Sequence, residues 1–461
     1  MRSAILKIKS RLFGTGTSKT HLMEVFHGAT VAFFFKGLGV MLAFMLNVLI
    51  ARKFGAKDSG IFFLALTITT VVAVLGRVGL DNSILRFTAS NAAVRNWGAI
   101  AGLHRKGMSL ALGTSVFFGA SCWVLAPWLS TVVFNKPELA GPLRWMALSV
   151  PAQATFLLYG EFLKGIRAIS LSQCVQSVIH YLLAVAGLLI FGAFLDVEAA
   201  AVLYLGATVA AALTGFWLWK RVFPAPLPHE AYFPFHELFQ SCLPLMIVAI
   251  MNLVINWAAT LLLGVWHGAE DVGIFNCAFR TAKLTIFVLI AVNSIAAPKF
   301  AGLYRQKDTG GLEATARQAT LLMVLAATPV LILFLSAPEW VMGLFGDEFV
   351  KGASLLSIIS IGQFINVATG SADYLLIMSG NEKLLRNNVV FCGVANLILC
   401  FLLVPKFGTI GAAAATALTL GLMNLLSTYL AWSRLGILTI PIPKRISLIF
   451  HGGSGFKGNE K

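Results

Sequence analysis

GAKDSGIFFLA, residues 55–65, and GAEDVGIFNCA, residues 268–278, read as two copies of one segment. Seven of eleven positions are identical at an offset of 213 residues. Agreement continues weakly beyond them, in Asn82-Ser83-Ile84 against Asn293-Ser294-Ile295 and in Arg86-Phe87 against Lys299-Phe300. In each copy a Gly-Ala-x-Asp stretch leads from one apolar run into the next. The two copies predict a chain built as two similar halves.

Working outward, apolar runs fill most of the chain. Hydrophobic residues are 58% of the 461 and charged residues 12%, against about 45–50% and about 25% in soluble domains. One soluble core cannot hide such a surplus, so lipid is the expected solvent. A span needs roughly 20 apolar residues. Such stretches lie near 28–51, 60–81, 107–130, 143–163, 174–195, 199–219, 238–263, 274–298, 318–337, 353–379, 387–404 and 410–432. The expected fold is an all-α integral membrane protein of about twelve transmembrane helices in two six-helix lobes. The N-lobe covers 28–219 and the C-lobe 238–432. A basic, interfacial N-terminus (1–27, with an amphipathic stretch at 4–13), a Pro-rich linker (220–237) and a tail (433–461) complete the chain. Six spans per half make both halves run in the same direction, a parallel repeat about an axis along the membrane normal.

Charge sets the expected orientation. With a cytoplasmic N-terminus, cytoplasmic segments hold 24 of the 35 Lys and Arg. External loops then collect Asp196, Glu198, Glu270, Asp271, Glu339, Asp347 and Glu348. Basic residues gather on the cytoplasmic side, so both termini are placed there. Both repeat copies fall in external loops leading into the second helix of a half.

Several classes are excluded. The net charge of +16 follows from the loop bias, and no basic, aromatic-interleaved soluble face signals nucleic-acid binding. The six cysteines sit in or beside apolar runs without a CxxC pair, as structural thiols do. His229-Glu230 and His236-Glu237 lack the second His of an HExxH site. No metal and no cofactor are expected. The N-terminal charged region is too long for a cleavable signal peptide.

A charge at mid-bilayer costs roughly 2.5–3.5 kcal/mol, and such residues face a bundle interior. Lys36, Arg77, Arg280 and Lys283 are the cations of this kind, at staggered depths, and are the candidate substrate-binding set. Asp81, Glu161 and Asp373 are candidates for charge tuning or ion coupling. Asn47 shares a helix face with Lys36, and Arg77 and Asp81 are i,i+4 neighbours. Asn252, Asn256 and Thr260 stripe one span, as do Asn276, Arg280 and Lys283 another. Gln363, Asn366, Gly370 and Asp373 stripe a third. These residues are expected to line one central cavity. His180 reads as a packing residue.

The segments ARKFGAKDSGIFFLAL (51–66), GLDNSILRF (79–87), GAEDVGIFNCAFRTAKL (268–284), APKFAGLYRQKD (297–308) and LVPKFGTIGAAAATALT (403–419) resemble the polysaccharide flippases of the MATE-like multidrug/oligosaccharidyl-lipid/polysaccharide exporter superfamily. The resemblance covers nearly the whole chain. It implies two six-helix lobes working by alternating access, and an undecaprenyl-diphosphate-linked oligosaccharide as substrate. It also implies movement from the cytoplasmic to the periplasmic leaflet of a bacterial inner membrane, for O-antigen, capsule or exopolysaccharide. Membrane lipids and other polysaccharide assembly proteins are the implied partners. Arg86 and Arg280 match the family's motifs closely, and Lys36 by position only. Two alternatives remain. A MATE-type cation antiporter would present acids to its substrate, whereas these spans are mainly basic. A glycosyltransferase or polymerase would need a sizeable external loop with catalytic carboxylates, and no DxD pair occurs in these short loops.

Overall fold

The computed structural model describes residues 18–192, 195–223, 233–306 and 308–440. The basic stretch at 4–13, half of the 220–237 linker (224–232) and most of the 433–461 tail lie outside the described residues. So does the His229-Glu230 pair.

The described residues are mostly helical, with no strand among them. In hydrocarbon every backbone N–H and C=O must be satisfied within its own segment, and apolar runs of this length therefore coil. The first long helix, α1 (Ser18–Arg77), is followed by α2 (Leu80–Ala93), α3 (Trp97–Trp128), α4 (Ala140–Leu148), α5 (Val150–Gly165) and α6 (Ile169–Gln173). Next come α7 (His180–Phe191), α8 (Val197–Val222), α9 (Phe235–Trp266), α10 (Ala269–Ala282) and α11 (Ile286–Arg305). The last are α12 (Thr309–Ser336), α13 (Pro338–Gly343), α14 (Ala353–Thr369), α15 (Ala372–Met378) and α16 (Glu382–Leu435). Nine of the described helical stretches are long and apolar enough to cross a membrane. Two of those nine contain a break, α1 at Gly55 and α16 at Gly408. The apolar stretches of the sequence fall on these helices, but 60–81, 143–163, 274–298 and 353–379 each run across a break between two of them. The chain is a multi-pass membrane protein.

Most breaks are written locally. Gly55 has φ +69 and Gly408 φ +57, a region that glycine enters without steric cost. Single turns of π-helix follow α3 (Leu129–Val133) and α6 (Cys174–Ile179). Asn96 and Asp196 accept from the backbone N–H of Ala99 and Ala199, capping α3 and α8.

The chain forms two compact units that do not follow the sequence halves. The larger takes residues 1–284, 333–360 and 389–419, and the smaller 285–332, 361–388 and 420–461. The larger unit has its core where α2, α3, α5 and α8 pack, around Leu80, Ile84, Leu103, Phe162, Leu163 and Trp219. The smaller unit buries Phe300, Leu312, Met323, Val367 and Leu375.

Within the larger unit the two repeat copies touch. A Cβ on Gly60 would stand 2.7 Å from the carbonyl carbon of Ala269, and nearer still to its oxygen. A Cβ on Gly273 would run into the carbonyl oxygen of Ala56 and stand 3.1 Å from the N of Gly60. The second residue of each copy thus meets the sixth residue of the other. α1 and α10 cross at a pair of glycines, as small residues allow between membrane helices. The two leading glycines differ: Gly55 has a positive φ, but Gly268 is extended, with φ −67 and ψ 162, because α9 has already ended and α10 starts afresh after it.

Candidate functional site

Three cationic clusters occupy the larger unit, where the sequence predicted one lining. The first lies at the end of α10. Arg280 is in its last turn, and Lys283 opens a short 3₁₀ turn, Lys283–Thr285. The exposed carbonyls of a helix C-terminus favour cations there. Lys283 Nζ donates to Asn256 Oδ1 at 2.8 Å. Arg280 Nη1 reaches Asn47 Oδ1 at 3.4 Å, a weak bond, and its buried Nε has no partner. Aromatic rings do the rest. Arg280 stands over Phe63 at 5.1 Å and Trp257 at 5.8 Å. Lys283 stands over Phe279 at 4.3 Å and the same Trp257 at 5.6 Å. Among the described residues neither cation makes an ion pair. Ring faces compensate part of the lost hydration, about 2 kcal/mol each when desolvated, but leave the charge uncancelled.

The second cluster centres on Glu161. Its carboxylate accepts from Lys164 Nζ at 2.7 Å and from Gln176 Nε2 at 2.9 Å. Lys36 lies within electrostatic reach of Glu161 and Lys164. Lys36 therefore has an acid near it in space, although none is near it in sequence. Gln176 comes from the π-helical turn, which crosses α1 where Gly39 meets Ser177. The third cluster is the Arg77–Asp81 pair, at 2.8 Å. Arg77 also donates to Ala73 O at 3.2 Å, so that guanidinium is largely satisfied.

The polar stripes divide. Asn252 donates to Val248 O, and Asn256 donates to Asn252 O while receiving Lys283. Asn276 is fully buried, donates to Val272 O, and leaves its Oδ1 unpartnered. His180 stacks on Phe156 at 5.0 Å, with Nδ1 unpartnered. Gln363, Asn366 and Asp373 belong to the smaller unit. There Gln363 has neither amide atom bonded, and Asp373 Oδ1 is buried without a partner. Neighbouring polar groups in this unit are paired: Ser371 donates to Asn293, and Asn388 donates to Ser427 Oγ at 2.8 Å. Trp257, Phe63 and Phe279 are the site residues that sequence reading missed. Trp257 directly follows Asn256 in a stripe that was recognised, so the only signal was adjacency.

Residues 25–303 match the family of polysaccharide biosynthesis proteins. The chain belongs to that family. Residues 244–402 also match the MatE family. The chain is 23% identical to the probable low-salt glycan biosynthesis flippase Agl15 of Haloferax volcanii, over 85% of this chain and 80% of that one. In fold it is similar to the lipid II flippase MurJ in an inward closed conformation, with a TM-score of 0.70 at 13% identity and 94% of each chain covered. It is also similar to an inward-facing multidrug resistance MATE transporter, with a TM-score of 0.68 at 15% identity, over 88% of this chain and 98% of the other.

Proposed function

We propose that this family member is a flippase for lipid-linked oligosaccharide. It moves an undecaprenyl-diphosphate-linked repeat unit from the cytoplasmic to the periplasmic leaflet of a bacterial inner membrane, for O-antigen, capsule or exopolysaccharide assembly. It is a transporter and not an enzyme. Residues 28–219 and 238–432 work as two six-helix lobes by alternating access, with both termini cytoplasmic.

The observation that carries this reading is the Arg280–Lys283 cluster. Two cations share one indole, deep in an apolar helix bundle, without a carboxylate. A diphosphate supplies what they lack, and each charge-assisted bond to phosphate is stronger than a neutral one. A site built for a cationic drug would carry the opposite sign. Lys36, within electrostatic reach of Glu161, and Arg77, ion-paired with Asp81, are milder cationic stations, and an anion passing them is attracted without being trapped. Asp81, Glu161 and Asp373 are the candidates for charge tuning or ion coupling. The glycan flippase named among the relatives supports the substrate class.

Deleting the gene should make lipid-linked repeat units accumulate on the cytoplasmic side while surface polysaccharide falls. Normal intermediates with unchanged surface polysaccharide would refute the reading.

A further inference from the structure

The turn leading into each repeat copy is capped by one charged side chain from a loop distant in sequence, and the two caps have opposite sign. At the first copy, α1 breaks at Gly55, which frees the N–H groups of the next turn. Glu348 receives one of them: Ala56 N donates to Glu348 Oε2 at 2.6 Å. Glu348 belongs to a short turn, Asp347–Gly352, ahead of α14. Its neighbour Leu344 accepts from Arg52 Nε at 2.7 Å. At the second copy, α9 ends at Trp266, which frees carbonyls. Lys136 receives two of them, donating to Gly264 O at 2.6 Å and His267 O at 2.7 Å, and it also donates to Phe134 O at 3.0 Å. Lys136 lies in the loop ahead of α4, and it is buried.

Each charge matches the helix end it covers, negative on a start and positive on a finish. Each cap ties one repeat copy to the loop that follows the third apolar stretch of the opposite half of the sequence. Both caps flank the glycine crossing of α1 and α10. We propose that Lys136 and Glu348 are a matched pair of latches, and that the two repeat copies separate only when both caps let go. Separation would leave a buried ammonium without its carbonyls and a helix start without its carboxylate, and such unpartnered groups are costly. The crossing is therefore held by two charged locks besides its glycine packing. The ion pairs Lys57–Glu138 and Lys351–Glu270 lie in the same region but are exposed, and exposed pairs contribute little. They are no part of the latch. The consequence for transport rests on the flippase reading; the latch itself does not.

Ser59 is a reporter. It is fully buried at the crossing, 3.1 Å from where a Cβ on Gly273 would stand. Ser59→Cys protein, purified in detergent, is treated with a water-soluble maleimide, and labelling at residue 59 is followed by peptide mass spectrometry. K136A and E348Q should each raise the labelling rate several-fold, and the double variant should raise it further. E348D, which keeps the charge, should raise it less than E348Q, and K57A should leave it unchanged. Rates unmoved by both cap variants would overturn the latch. So would a rise with K57A equal to that with E348Q. If K136A does not accumulate, the series at Glu348 decides alone. No step involves substrate, so a latch that fails here leaves the flippase reading standing, and the reverse also holds.

Discussion

Gly60→Ala adds one methyl where two helices have no room for it. The new Cβ would lie 2.7 Å from the carbonyl carbon of Ala269, against an optimum of about 3.5–4.0 Å between carbons. The obstacle is backbone, which cannot swing aside as a side-chain tip can. α1 and α10 must therefore part by about 1 Å, and a gap of that size forfeits roughly a quarter to a half of each dispersion contact across it. Overpacking of this kind costs about 1–3 kcal/mol, a bias of roughly 5- to 150-fold against the packed crossing. Gly273→Ala meets Ala56 in the same way. Because both methyls wedge one interface, the second should cost less once the first has opened it. Gly113 and Gly206 have open space where a Cβ would stand, and alanine there should be neutral or stabilising by about 0.4–1 kcal/mol. The assay is thermal stability in detergent of G60A, G273A, the double variant and G113A, with surface polysaccharide scored in cells. Equal melting temperatures for G60A and G113A would refute the close crossing. Strictly additive losses would refute its being one interface.

Three further outcomes follow from the described contacts. R280A and K283A should each lower surface polysaccharide at normal protein abundance, with R280K rescuing part, since it keeps the charge but loses the planar fork; undiminished export in the double alanine variant would make the pair structural. Cysteines replacing Glu270 or Asp347 should react with impermeant thiol reagents from outside the cell and one replacing Lys383 should not; the reverse pattern would invert the topology inferred from loop charge. His267 Nε2 lies 2.9 Å from Val404 O, four residues ahead of the break at Gly408, and a carbonyl only accepts, so Nε2 carries the proton. H267A should cost about 1–3 kcal/mol by leaving that oxygen unsatisfied, and an unchanged melting temperature would show that water already serves it.

Helical segments were legible because a membrane helix is written in one continuous stretch. Apolar length reports the span directly, and the Gly-Ala-x-Asp-x-Gly motif reports a repeated segment, though not one shared turn, since Gly55 and Gly268 differ in backbone conformation. Side-chain partnership across helices is not written that way. Lys36 and Glu161 are 125 positions apart in the sequence and share a cluster only because a π turn and Gly39 bring α1 against Gln176 and Ser177. Arg77 and Asp81 were legible as a pair because they lie four residues apart, although the chain breaks at Val78 and Gly79 and the pair joins two helices, not one turn of a single helix. Trp257 was not, because nothing in a tryptophan between Asn256 and Ala258 says which cation will stand over its face. Lys136 and Glu348 looked like ordinary loop charges, and only the backbone groups they meet distinguish them from Lys57 and Glu270.

The glycine crossing has the form of a contact between identical partners. Position two of one copy meets position six of the other, and the reverse holds in the same interface, which is the pattern of a two-fold symmetric homodimer. The repeated segment thus meets its own second copy within one chain. The charges around it do not share that symmetry: Lys57 stands where the other copy has Glu270, and the caps are a lysine on one side and a glutamate on the other. A first half facing a second first half would bring two lysine caps and no glutamate to the crossing. The unlike charges therefore commit each copy to the other and not to a second copy of itself.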